Sequence, residues 1–239
     1  MKLKCLGSGS SGNCYILTCN NEKLILDAGL PIKAIKKGLD FDLQSIRGVL
    51  VTHCHKDHSL SVDDFKKMGL TVFKPYEDKK PMTLGGFKVC AIPMTDLQGN
   101  WMHTNADGSE CPCYGFLIEH NELGRMLYIT DTEFVKWRFR DVNHILISCN
   151  YIKDNLDDEN IAKRNHVLRG HMELETVKEF IRVNASDSLQ NVILCHLSTE
   201  NADADKMVDE VQKIVPSANV DVARAGKCWK LRKGDECPF

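Results

Sequence analysis

The amino-acid sequence predicts one α/β domain spanning residues 1–239, and three observations predict it. Short apolar runs rich in β-branched residues alternate with segments of helical periodicity. Gly, Asn and Asp punctuate the joins between them. Of the 239 residues 43% are hydrophobic, enough for one sizeable core.

Taken in order, strands are expected at "LKCL", "CYILTC", "KLILD", "GVLVT", "FKVCAIP", "CYGFLIE", "RMLYIT", "HILIS", "NVILC", "VDVAR" and "CWKLR". Helices are expected to begin near Pro31, Ser61, Met172 and Asp203. Ser61 with Asp64 three residues on reads as a capping box and Gly69 as the stop of that helix; Asp203 reads as the N-cap of "ADKMVDEVQKI". Residues 94–112 are polar, turn-rich and without periodicity, the mark of an inserted functional loop.

Composition excludes several classes. No window is long and apolar enough to cross a bilayer, and "MKLKCLGSGSSGN" turns glycine-rich before a signal-peptide apolar region can form, so a cytoplasmic protein without a membrane partner is expected. Eleven cysteines without a CxxC pair read as reduced thiols rather than a disulfide framework, with Cys111 and Cys113 the nearest pair. A net charge of -2 neither requires nor excludes a nucleic-acid partner.

Four apolar strands end abruptly in a metal-capable side chain: Asp27, His53, Asp131 and His196. Strand ends held by a buried scaffold are where sites are usually built. The stretch "VTHCHKDHS" then crowds His53, His55, Asp57 and His58 into six positions. In extended chain His53 and His55 point the same way, while Asp57 and His58 turn into the next helix, so one segment can feed two neighbouring metals. Imidazole and carboxylate suit Zn²⁺, and also Mn²⁺ or Fe²⁺. His196, Asp131 and the loop residue His103 are the expected additional ligands.

"THCHKDH" after an apolar strand, "ILDAG" upstream, "YITDT" downstream and a late "CHLS" resemble the metallo-β-lactamase superfamily. "LGSGSSGNCYIL", "ILISCNY", "GHMELE" and "CHLSTEN" resemble more narrowly its branch of small bacterial and phage WalJ-type exonuclease-like proteins. The resemblance implies a four-layer αββα sandwich with two divalent metals at one edge. It implies that His53, His55 and a loop histidine hold the first metal, that Asp57, His58 and His196 hold the second, and that Asp131 bridges both. Asp27 would orient a ligand histidine. The implied activity is metal-dependent hydrolysis of a phosphodiester in nucleic acid or a nucleotide, through a metal-bridging hydroxide, with Asp57 and Asp131 serving the chemistry as well as the metals.

Some motifs depart from the family. The third metal motif, where a His-Asp pair commonly follows a proline, reads "IPMTD"; His103 is the expected substitute, with Asp96 or Asp107 the alternative. His171 of "GHMELE" is read as a general acid with Glu173 nearby, or else as a capping or partner contact. Ser10, Ser11 and Asn13 of "SGSSGN" are read as phosphate donors, or else as part of a Gly/Ser hairpin. "KWRFR" (136–140) suits phosphates and base stacking, or else is an amphipathic segment. His120, His144 and His166 match no motif and are read as structural. Two rival functions remain: a small-molecule hydrolase acting on a cyclic nucleotide, lactone or thioester, and a non-catalytic metal-binding regulatory module.

Overall fold

Side-chain alternation along the strands sorts the apolar residues into three separate layers. In the computed structural model, which describes residues 1–77, 82–105, 107–156 and 170–233, the chain begins with β1 (Lys2–Gly7), β2 (Cys14–Cys19), β3 (Glu22–Leu26), α1 (Ile32–Gly38) and β4 (Ile46–Leu50). Short helices α2 (Lys56–Ser59) and α3 (Val62–Lys67) follow, then β5 (Val72–Phe73), β6 (Met82–Leu84), β7 (Phe87–Pro93), β8 (Tyr114–His120), β9 (Gly124–Ile129) and β10 (His144–Ser148). The last elements are α4 (Leu174–Asn184), β11 (Asn191–Cys195), α5 (Ala204–Gln212), β12 (Asn219–Val222) and β13 (Cys228–Lys230). His166 lies outside the described residues.

One sheet has the order β13-β1-β2-β3-β4-β5, the other β12-β11-β10-β9-β8-β7-β6. Because successive side chains leave opposite faces of a strand, β2 sends Tyr15 and Leu17 between the sheets and Ile16 outward. β10 likewise sends Leu146 inward and Ile145 and Ile147 outward. The inner layer joins Leu24, Leu26, Phe116, Tyr128, Leu146 and Ile193. Ile35 of α1 and Phe65 of α3 cover the first sheet's outer face; Val177 and Ile181 of α4, with Met207 and Val211 of α5, cover the second's. This is the αββα sandwich.

β3 and β4 pair in parallel, as do β9 through β12. Parallel strands are covered on both faces, which is why "HILIS" and "NVILC" read as unbroken apolar runs and are buried throughout. Parallel pairing also sends the C-terminal ends of β3 and β4, and of β9 and β11, to the same edge of their sheets, where ligand sites of parallel sheets form.

Strands β5 and β6, of two and three residues, were not predicted, because so few residues carry no period. The Ser61–Asp64 capping box does not form: Ser61 Oγ donates to the Leu30 carbonyl (2.6 Å), tying α3 back to the segment after β3. Asp203 does cap α5, accepting from Lys206 N–H at 3.1 Å.

The inner layer is the contact through which the two sheets pack. Leu146 is completely buried within it, and Leu146→Ala is expected to lower unfolding free energy by about 2–5 kcal/mol. Lys88→Ala, on the exposed face of β7, should change it by less than about 0.5 kcal/mol. Urea denaturation of both variants checks the difference.

Candidate metal centre

Three strand-end residues turn their side chains off the strand by adopting left-handed backbone: Asp27 (φ 57°), Asp131 (φ 48°) and His196 (φ 54°). Such conformations cost of order 1–3 kcal/mol each and persist where surrounding structure over-determines them. At Asp27 the surroundings are explicit. Its N–H donates to the Leu50 carbonyl (2.8 Å), Thr52 N–H donates to Oδ1 (2.8 Å), and Tyr128 O–H donates to Oδ2 (2.6 Å). His58 Nδ1 lies 2.7 Å from the same Oδ2. With Nδ1–H committed to Asp27, His58 presents Nε2 inward.

Gly29, the last residue of "ILDAG", is required by close approach. A Cβ there would sit 1.7 Å from the Asp57 carbonyl, and that carbonyl accepts from Asn13 N–H at 2.7 Å. The missing side chain lets α2 lie against the sheet edge with Asp57 and His58 at its start.

The side chains converge into two groups. Ligand atoms of His53, His55 and His103 lie within 4.8 Å of one another, as do those of Asp57, His58 and His196. Asp131 stands between them: Oδ2 is 2.7 Å from His58 Nε2 and 3.7 Å from His53 Nε2, and Oδ1 is 3.5 Å from His196 Nδ1. His55 donates from Nε2 to Asn105 Oδ1 (3.0 Å), which leaves Nδ1 facing His103 Nε2 at 3.0 Å. Asn150 Nδ2 sits 2.8 Å from both His196 Nδ1 and its carbonyl, while Asn150 Oδ1 accepts from Met172 N–H.

Electrostatics prepare these groups to meet cations. Burial pushes His53 well below the usual histidine range and His103 down to about 4, so both are neutral lone-pair donors near pH 7. Burial opposes ionisation of Asp131, but His196 and His58 outweigh it and hold its carboxyl well below the usual range. Burial likewise opposes charge on His58, and Asp27 and Asp131 outweigh it, holding its pKa well above normal. A divalent ion would take the place of that proton. His53 Nε2, His196 Nε2 and Asp131 Oδ1 are buried polar atoms with no hydrogen-bond partner among the described residues. Leaving such atoms unmet costs about 1–3 kcal/mol each, and all three belong to the side chains gathered in these groups. The donors fit divalent transition metals such as Zn²⁺ or Mn²⁺.

Residues 7–104 match the sequence model of the metallo-beta-lactamase superfamily. The chain is 26% identical over 223 residues to exodeoxyribonuclease YycJ of Bacillus anthracis, covering 82% of each chain. It is 24% identical over 223 residues to exodeoxyribonuclease WalJ of Streptococcus pneumoniae, covering 84% of this chain and 82% of that one. Its fold superposes on the metallo-beta-lactamase fold protein YhfI of Bacillus subtilis with a TM-score of 0.64, 17% identity, and coverage of 95% and 98%. Residues 7–104 thus carry the sequence pattern of the metallo-beta-lactamase superfamily, and the chain as a whole shares the fold of one of its structures.

A cavity of about 630 Å³ opens onto this site. Ser10, Ser11, Thr104, His171 and Thr199 are among its lining residues. His171 has Nδ1 3.6 Å from Asp131 Oδ1, and its ring stacks against His196 with centroids 5.8 Å apart. Asn13 is placed otherwise than expected. It is buried, its amide pairs with Gly9 N–H and carbonyl, and Nδ2 reaches 2.9 Å from His58 Nε2, so it braces the loop instead of facing the cavity.

Asp96 and Asp107 stand apart from the centre. Asp96 accepts from Gln98 N–H, Asn100 N–H and Asn100 Nδ2, closing a turn on the surface, and Asp107 accepts from Ser109. Glu173 caps α4 through Glu175 N–H (2.7 Å), the capping role weighed for this motif. In "KWRFR", Lys136 Nζ donates to Thr95 Oγ1 and the Asp96 carbonyl, and Phe139 packs into the outer layer, so those two residues secure a loop. Trp137 and Arg138 remain exposed.

Sequence reasoning missed Asn105, Asn150, Thr52 and Tyr128 as orienting partners. Asn150 had a signal, standing two residues past the end of β10. Tyr128 had none, because a core tyrosine reads the same whether or not its hydroxyl meets a carboxylate.

Two expected outcomes follow from this geometry. His103→Ala should lower the Zn²⁺ retained after dialysis while Asp96→Ala leaves it unchanged, read by elemental analysis. Asp27→Asn should weaken metal affinity by on the order of 10–100-fold, measured by competition with a chelating dye.

Proposed function

We propose that the chain is a metal-dependent phosphodiesterase that digests nucleic acid from an end, with His53, His55 and His103 holding one cation and Asp57, His58 and His196 the other. The observation that carries this reading is Asp131, a buried, ionised carboxylate reaching histidines of both groups at the floor of an open cavity. When bound, a pair of divalent ions supplies a hydroxide nucleophile near neutral pH and neutralises charge growing on phosphate oxygens. The names of the YycJ and WalJ relatives, both exodeoxyribonucleases, support nucleic acid as the substrate class.

The chain's own residues account for the remaining needs of such a reaction. Asp27 and Asn105 fix the orientation of His58 and His55. Ser10 and Ser11, on the loop between β1 and β2, offer hydroxyl and backbone donors at the cavity rim. His171 is 20% exposed at its side chain and lines the same cavity, which supports reading it as the donor of a proton to the departing sugar oxygen.

A second reading, hydrolysis of a small phosphodiester such as a cyclic nucleotide, draws on the cavity lining, which contains hydroxyl, amide and imidazole groups and no Lys or Arg among the described residues. A long polyanion is usually gripped by cationic side chains.

Metal-loaded protein incubated with end-labelled single-stranded DNA, double-stranded DNA, RNA and cyclic nucleotides separates the two. Mononucleotide release from an end of DNA is the expected result; turnover of cyclic nucleotides alone would select the second reading. Asp131→Ala should abolish hydrolysis of bis-p-nitrophenyl phosphate with the circular dichroism spectrum intact. His171→Ala should lower kcat on DNA by roughly 10²–10⁴-fold but spare the p-nitrophenyl ester, whose leaving group needs no proton. Equal losses on both substrates would remove His171 from the acid role.

A further inference from the structure

Cys54 stands between His53 and His55 in the sequence, and its Sγ lies 3.8 Å from Cys111 Sγ, across a sequence separation of 57 residues. Cys54 is exposed and Cys111 is buried. Cys111 is also tied to the other ligand segment, because its N–H donates to the His103 carbonyl at 2.8 Å. The thiol pair therefore joins the two segments that place His55 and His103 against each other.

We propose that Cys54 and Cys111 form a redox-modification site, a reversible disulfide made with a peroxide as oxidant, which loosens the His53–His55–His103 group. The exposed Cys54 is oxidised first: its sulfur attacks a peroxide oxygen, an S–O bond forms, the O–O bond breaks, and the departing oxygen leaves as water. Cys111, buried behind it, is the later partner. The Cys111 sulfur next attacks Cys54, the S–S bond forms, the S–O bond breaks, and the hydroxyl leaves with the Cys111 proton as water. In sum two thiols and one hydrogen peroxide give one disulfide and two waters.

The consequence is geometric. A disulfide requires the sulfurs to close from 3.8 Å to roughly 2.05 Å, which draws together the two segments that carry His55 and His103. His55 Nδ1 and His103 Nε2, 3.0 Å apart with Asn105 bracing His55, have little room to absorb that motion. In proteins of reducing compartments, disulfides that do form are usually transient and sensing ones.

The test treats zinc-loaded protein with one to a few equivalents of hydrogen peroxide and follows three readouts. Peptide mapping should show a Cys54–Cys111 crosslink that dithiothreitol removes. Elemental analysis after dialysis should show metal lost from the oxidised protein, regained on reduction with added Zn²⁺, and retained by Cys54→Ser under the same treatment. Cys111→Ser, or wild-type protein sampled early, should carry a Cys54 sulfenic acid that dimedone captures. Absence of the crosslink while other thiols oxidise would overturn the proposal, as would a crosslink with undiminished metal. The metal readout rests on the metal-centre reading given above; protein that holds no zinc before oxidation would fail that reading, while the crosslink still decides whether the thiol pair is a modification site.

Discussion

The carboxylate of Asp27, with no exposed surface, is the constraint on which the site depends. A buried charge is costly by several kcal/mol unless its lone pairs are met, and here they are met from three directions. Thr52 approaches from the segment after β4, His58 from α2, and Tyr128 from β9 in the opposite sheet. Burial, then Asp27 itself, pushes the Tyr128 phenol well above its ordinary range, so it stays protonated and remains a donor. One carboxylate thus joins the two sheets at the edge where the histidines gather and sets which nitrogen of His58 faces inward.

The same edge carries concentrated strain. Left-handed backbone at Asp27, Asp131 and His196 turns three side chains from strand directions into a shared space. The sandwich behind them supplies the rigidity that sustains this, since β9, β10 and β11 are hydrogen-bonded in parallel and β10 and β11 are buried on both faces. Rigid strands fix Asp131 and His196; the segment after β4, helix α2 and the long loop bring the remaining donors to them.

Loop chemistry decides the first group. Asp96 is spent on its own turn, Lys136 ties that turn to the segment after β9, and Asn105 holds His55. The loop of residues 94–112 therefore builds its own scaffold through the bridges Thr95 to Trp101 and Thr104 to Glu110, and that scaffold delivers His103. Cys111 belongs to the same scaffold, which gives its contact with Cys54 leverage over the rings.

Much of the fold was legible because its signals are local. Two-residue alternation, apolar runs ended by Asp or His, and the crowding of His53, His55, Asp57 and His58 depend only on neighbours along the chain. Strands β5 and β6 were not legible, being too short for a period, and the Ser61 cap misled because a hydroxyl that can bond its own helix bonded Leu30 instead. Asn13 misled for a related reason: a glycine-rich loop suggests donors for a ligand, but this amide is consumed by the N–H and carbonyl of Gly9.

By itself the sequence determined the α/β class, the strand ends from which a site could be built, and the set of imidazoles and carboxylates available to it. Only the tertiary structure decided that His103 rather than Asp96 stands beside His55, that Tyr128 reaches across to Asp27, and that Cys54 meets Cys111. The physical reason is that these are long-range pairings, settled by how the two sheets stack and where a loop lands, and no spacing along the chain encodes them.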